Sequence, residues 1–98
     1  MEGIRYEELE TRIREILNHG VIRYNQPHLT QRMTERNYSM GDIRHILKNG
    51  KIIDVQKEGN EKYRCTVRGD DLEGDSGAVI VIVIKDKKIF IVTVLGGV

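Results

Sequence analysis

One cysteine, one proline, one phenylalanine and no tryptophan leave this 98-residue chain short of the residues that usually staple or punctuate a fold. With Cys65 alone, no intramolecular disulfide and no cysteine-built zinc site can form, which fits a reducing cytoplasm. Long apolar runs are also missing. The longest, Ala78–Ile84, has seven residues, against the ~20 that a membrane-spanning helix needs. The start, MEGIRYEELE, is acidic and polar and lacks the apolar stretch of a signal peptide. Neither sign of charge dominates, with 16 Lys and Arg against 15 Asp and Glu. A whole-molecule charge argument for nucleic acid is therefore excluded. No repeat, low-complexity linker or second domain is legible, so residues 1–98 read as a single domain with one modest core.

What is present is unevenly placed. Residues 1–18 hold three Arg against five Glu, and residues 52–98 hold seven basic against eight acidic residues. Residues 19–51 hold six Lys and Arg against two acids, together with all three His. Within that basic middle lies PHLTQRMTERN, Pro27–Asn37. Leu29 and Met33 give it an apolar edge at i, i+4, and His28, Arg32 and Arg36 follow an adjacent edge at the same spacing. One imidazole and two guanidiniums on neighbouring turns suit an anion, phosphate in particular.

Taken in order, Tyr6, Leu9, Ile13, Ile16 and Leu17 mark one face of an amphipathic helix over about residues 5–18, stopped by Gly20. Val21–Tyr24 alternates weakly and reads as a short extended piece. Pro27 suits the first helical position and Asn37 the left-handed end of the second helix. Ser39-x-x-Asp42 resembles a capping box opening a third helix through Lys48, with Gly50 closing it. Two short helices at a corner invite comparison with a helix-turn-helix DNA reader. The reading helix would offer only Arg44, His45 and Lys48, and strands follow instead of further helices.

From residue 51 the period switches to two. Lys51–Gln56 and Lys62–Arg68 are strands around a Gly59-Asn60 turn. In the second, Tyr63, Cys65 and Val67 form a buried face, and Lys62, Arg64, Thr66 and Arg68 a wet one. Gly69–Gly77 reads as a loop, and Asp86–Lys88 as a tight turn. Ala78–Ile84 and Ile89–Leu95 read as doubly buried strands, the latter interrupted only by Thr93. Gly96-Gly97 reads as a frayed end. The expected architecture is α+β, with N-terminal helices packed on one face of a four-stranded antiparallel sheet.

Several blocks then follow one pattern: His28-x-x-x-Arg32-Met33-x-x-Arg36, Ser39-x-x-Asp42-Ile43, Leu47-x-Asn49-Gly50-x-Ile52-Ile53, Tyr63-Arg64 and Val92-Thr93-Val94. Together they resemble the DUF4258 family, a small bacterial and archaeal domain of unknown function. The resemblance covers residues 21–95, with residues 1–20 similar to the N-terminal helical extension of stand-alone members. It implies a fold akin to the RelE, barnase and EndoU group of ribonucleases and toxins, and a neighbouring YgiT-type zinc-finger or helix-turn-helix antitoxin. Many members carry an aromatic residue shortly after the last-strand Thr, where this chain has Leu95-Gly96-Gly97.

Metal-independent RNA cleavage needs a base for the 2′-hydroxyl, donors for charge developing on phosphate, and an acid for the leaving oxygen. His28 is the candidate base or acid, because imidazole titrates near neutrality. Arg32 and Arg36 are candidates to hold the phosphate. Thr93 is the candidate to bond the phosphate or orient a catalytic group, and is equally an ordinary strand residue. Tyr63, Arg64, Arg44 and Lys48 are the expected substrate-binding residues. Tyr63 and Arg64 alternate, so at most one faces a cleft.

No cofactor and no metal site is expected. Asp70, Asp71, Glu73 and Asp75 lack the ligand pattern of a calcium loop. The functional expectation is a cytoplasmic endoribonuclease toxin acting on mRNA, free or on the ribosome, and restrained by a cognate antitoxin, with no membrane partner. The alternative is a non-catalytic protein-binding module, whose dense Val and Ile strands favour a homodimer.

Overall fold

In the computed structural model of the chain, residues 4–85 and 87–96 are described. Three helices and five strands run in the order α1 (Tyr6–His19), β1 (Val21–Tyr24), α2 (His28–Arg36), α3 (Met40–Asn49), β2 (Lys51–Gly59), β3 (Lys62–Asp70), β4 (Ser76–Ile84) and β5 (Lys88–Gly96). Each helix follows its apolar spacing. Leu9, Ile13, Ile16 and Leu17 are the buried residues of α1, Leu29 of α2, and Ile43, Ile46 and Leu47 of α3, with Asp42. The ends obey local chemistry. Asn37 takes the left-handed conformation after α2, at φ 58° and ψ 42°. At α3 the Ser39 hydroxyl accepts from the Asp42 N–H at 3.1 Å, and the Asp42 carboxylate accepts from the Ser39 N–H at 2.8 Å. Both partners of the capping box are in place.

The sheet corrects the expectation of four antiparallel strands. It has five strands in the order β1-β5-β4-β3-β2. The added strand is Val21–Tyr24, which runs parallel to β5 with Val21 opposite Lys88 and Tyr24 opposite Ile91, so the sheet is mixed. Only Ile22 of this strand is even half-buried, so its alternation carries little hydrophobic signal. A parallel partner also comes from a distant part of the chain, and no local pattern announces it.

Other boundaries move by a few residues. β3 runs on to Asp70 and β4 starts at Ser76, which shortens the expected loop to residues 71–75. Gly96 is not frayed: it pairs with Gly77 at the end of β5. The expected turn at Asp86 and the terminal Gly97 lie outside the described residues.

All three helices lie on one face of the sheet. Their buried residues form one cluster with Cys65 and Val67 of β3, Val79, Val81 and Val83 of β4, and Ile89, Ile91 and Val94 of β5. No helix among the described residues covers the opposite face. Ile80, Ile82, Ile84 and Phe90 alternate with those core residues and stay half-exposed.

Two arginines lock α1 to α3. The Arg14 Nε donates to the Lys48 carbonyl in the last turn of α3, at 2.9 Å, and Arg44 donates to the Leu17 carbonyl in the last turn of α1, at 3.0 Å. Each helix thus caps the carbonyl end of the other, where cations and donors are favoured. A third tie reaches the edge of the sheet, where the Glu10 carboxylate accepts from the Ile52 N–H at 2.9 Å.

Candidate functional site

The register of the ladders decides which side chains meet on the uncovered face. Arg23, Phe90, Ile82, Arg64 and Gln56 form one row across β1, β5, β4, β3 and β2. The next row along holds Val21, Lys88, Ile84 and Lys62. On the other side lie Thr93, Ile80, Thr66 and Asp54, then Leu95, Ala78, Arg68 and Lys51. Side chains two apart on a strand share a face. The uncovered face is therefore an apolar strip on β4 and β5, flanked by Arg23 and Lys88 on one side. Lys62, Arg64, Arg68 and Lys51 flank it on the other. Asp54 is the one acid in these rows, Asp70 opposite Ser76 follows in the next row on the same face, and Glu58 at the adjoining bulge pairs with Arg64 at 3.3 Å.

Near-neutral overall charge thus conceals segregation by face. The sequence signal for it was the alternation Lys62, Arg64, Thr66, Arg68. Arg23, Lys51 and Lys88 carry no such signal, because only the strand register brings them alongside.

Thr93 owes its position to an irregularity in β5. Ile80 pairs with Thr93 and Val81 with Ile91, so Val92 is an extra residue without a partner of its own. In a regular strand Ile89, Ile91 and Thr93 would share one face. The bulge reverses the parity, sending Val94 to the core and Thr93 to the uncovered face opposite Ile80. Arg64 shares that face, two strands across and two residues along.

The expected His28, Arg32 and Arg36 edge is present on α2, and all three side chains are exposed. Arg32 faces Glu35 at 3.7 Å, and both are half in solvent. His28 and Arg36 make no side-chain hydrogen bond or ion pair among the described residues. The helix packs along β5. Its other edge, Thr30 and Thr34, lines a cleft of about 540 Å³ with Tyr24, Tyr38 and Met40 on the helical side. At 3.6 residues per turn the His/Arg edge lies about 180° from the Thr edge, so it turns away from α3.

The remaining expected residues divide. Tyr63 packs against the core and does not join Arg64 on the uncovered face. Arg44 and Lys48 lie in a separate cleft between α1 and α3, on the helical side of the sheet. They are not brought together with Arg64 or Thr93. Among the described residues no group of three or more His, Cys, Asp or Glu side chains could hold a metal ion. No helix among them is long and apolar enough to cross a membrane. Cys65 is fully buried, and burial with the nearby Asp54 charge pushes its thiol up to about 12.

Compared with known proteins, residues 25–95 match the family model DUF4258, described as a domain of unknown function. No curated protein and no solved structure matches the chain.

Proposed function

The chain belongs to the DUF4258 family, and from that premise and its surface chemistry we propose an RNA-directed toxin: a metal-independent endoribonuclease of mRNA, held in check by a cognate antitoxin. The observation that carries this reading is the uncovered sheet face. Six cations there flank an apolar strip, against Asp54, Asp70 and the paired Glu58. Cations in parallel rows suit the phosphates of a single strand, and half-exposed Phe90 offers a stacking surface between them. The α2 edge adds the acid–base group. His28 is the base or acid and Arg32 and Arg36 hold the scissile phosphate on the helical side, whereas Thr93, on the uncovered face, contacts only the part of the strand bound there. The same chemistry is what the family resemblance implies, through the fold expected to be akin to the RelE, barnase and EndoU group.

One observation favours a second reading. Ile80, Ile82, Ile84 and Phe90 give the uncovered face an apolar centre that a protein partner or a second copy could cover. On that reading the chain is a non-catalytic module, and its cations select the partner.

Expression of the chain alone in a bacterial host separates the two. Growth arrest with loss of bulk mRNA, relieved by His28→Ala, is expected. Normal growth with soluble, folded protein would sink the nuclease reading and leave the module. Cleavage by purified protein with EDTA present tests the absence of a metal requirement.

A further inference from the structure

The cleft between α1 and α3 has a volume of about 440 Å³, and its lining includes Arg14, Arg44, His45, Lys48, Leu17 and Leu72. Among the described residues no carboxylate lines it. Its two arginines are held in place by backbone carbonyls rather than by carboxylates. Arg14 donates to the Lys48 carbonyl and Arg44 to the Leu17 carbonyl. His45 Nδ1 meets the Asp70 carbonyl at 2.8 Å. None of these residues, nor Lys48, forms an ion pair among the described residues. A guanidinium has five N–H donors, so both arginines keep donors for a ligand while serving as helix clamps.

The nearby acids are engaged elsewhere. The Asp42 carboxylate accepts from Ser39 and from the Leu72 N–H at 2.9 Å, and Asp71 accepts from the Glu73 and Asp75 N–H groups. The bond from Leu72 to Asp42 has a second effect. It fixes the backbone of a leucine that is 60% exposed, at the rim of the cleft. Leu17 lies within the cleft's wall and Leu72 at its lip, so an apolar anchor has aliphatic surface to meet.

We infer that this cleft is a docking site for an acidic segment of a partner protein, one that places carboxylates against Arg14, Arg44 and Lys48 and an aliphatic side chain between Leu17 and Leu72. Charge complementarity selects the sign of the occupant. The lining selects protein over nucleic acid, since it offers no aromatic ring on which a base could stack. The site lies on the helical side, opposite the uncovered sheet face. Arg14 and Leu17 also precede the family match, which begins at residue 25, so the cleft depends on the N-terminal helix of this chain. It stands whether or not the sheet face binds RNA.

The test is an amide NMR titration of the full chain with three probes. The first is a short peptide with leucines at helical spacing among glutamates. The second has lysines for the glutamates, and the third is oligouridylate. The acidic peptide is expected to shift amides of residues 14–18 and 41–48 and of Leu72, and the lysine peptide to leave them unmoved. Lys48→Ala, which keeps the carbonyl that Arg14 donates to, and Leu72→Ser should each weaken the acidic peptide about tenfold with the fold intact. Absent binding, shifts confined to the sheet face, equal binding of the lysine peptide, or oligouridylate in the cleft would each overturn the assignment.

Discussion

Tyr38 lies directly over Gly77: a Cβ at that glycine would collide with the phenol oxygen. The contact brings the connection between α2 and α3 onto the first residues of β4, and it buries the Tyr38 hydroxyl without a hydrogen-bond partner among the described residues. Burial, with the charges of Asp71, Asp42 and Asp75, pushes that hydroxyl above its ordinary pKa. An unpaired buried hydroxyl costs about 1–3 kcal/mol. Tyr38→Phe is therefore expected to raise the midpoint of urea unfolding, and Gly77→Ala to lower stability by about 1–3 kcal/mol through overpacking. A clear loss of stability in Tyr38→Phe would mean that the hydroxyl has a partner.

Salt dependence tests the uncovered sheet face. Lys62→Ala, Arg64→Ala and Arg68→Ala should each weaken a single-stranded RNA oligomer, and each should reduce the slope of log affinity against log salt by about 0.7. Arg44→Ala, on the helical side, should leave that slope unchanged. An identical slope in all four variants would place the RNA elsewhere.

Acid unfolding tests the capping box. Hydrogen bonds from the Ser39 N–H, the Leu72 N–H and the Ser39 hydroxyl hold the Asp42 carboxyl below its ordinary value of 3.8. A depressed carboxyl stabilises the fold above its unfolded pKa, and that contribution is lost as pH falls through the folded value. The unfolding midpoint of the parent should thus drop below about pH 4, and Asp42→Asn, weaker at pH 7, should drop less over the same range. Ser39→Ala is expected to cost about 1 kcal/mol. Parallel pH profiles for parent and Asp42→Asn would contradict the linkage.

Cys65 should resist thiol reagents in the native protein at pH 8 and react fully in guanidinium, because its side chain is buried and its pKa is pushed up to about 12. Rapid labelling of the folded chain would mean that β3 opens readily.

How much of this was legible depends on how far apart the interacting residues lie. The helix faces at Leu9, Ile13 and Ile43 repeat within a few residues, and the Ser39–Asp42 box is complete within four. The antiparallel β2–β3 and β4–β5 pairs join neighbours in sequence. Strand β1 was missed as a sheet member because Val21–Tyr24 finds its partner in β5. The facing of Thr93 depends on unpaired Val92, which period-two reading cannot show. The candidate residues were scattered for the same reason. Arg64 and Arg44 face opposite sides of the molecule, and Arg14, in an amphipathic helix, gave no hint that it caps α3.

The parallel pairing of β1 with β5 also bears on the order in which the chain can become structured. β5 is made after every other described element, yet it sits between β1 and β4. During synthesis, β1 emerges early and finds no strand to accept its backbone groups until β5 leaves the ribosome. Such distant contacts favour slow folding. The nascent chain would therefore hold α1–α3 and the β2–β4 meander as an incomplete layer, with the β5-facing edge of β4 open to other strands until the end.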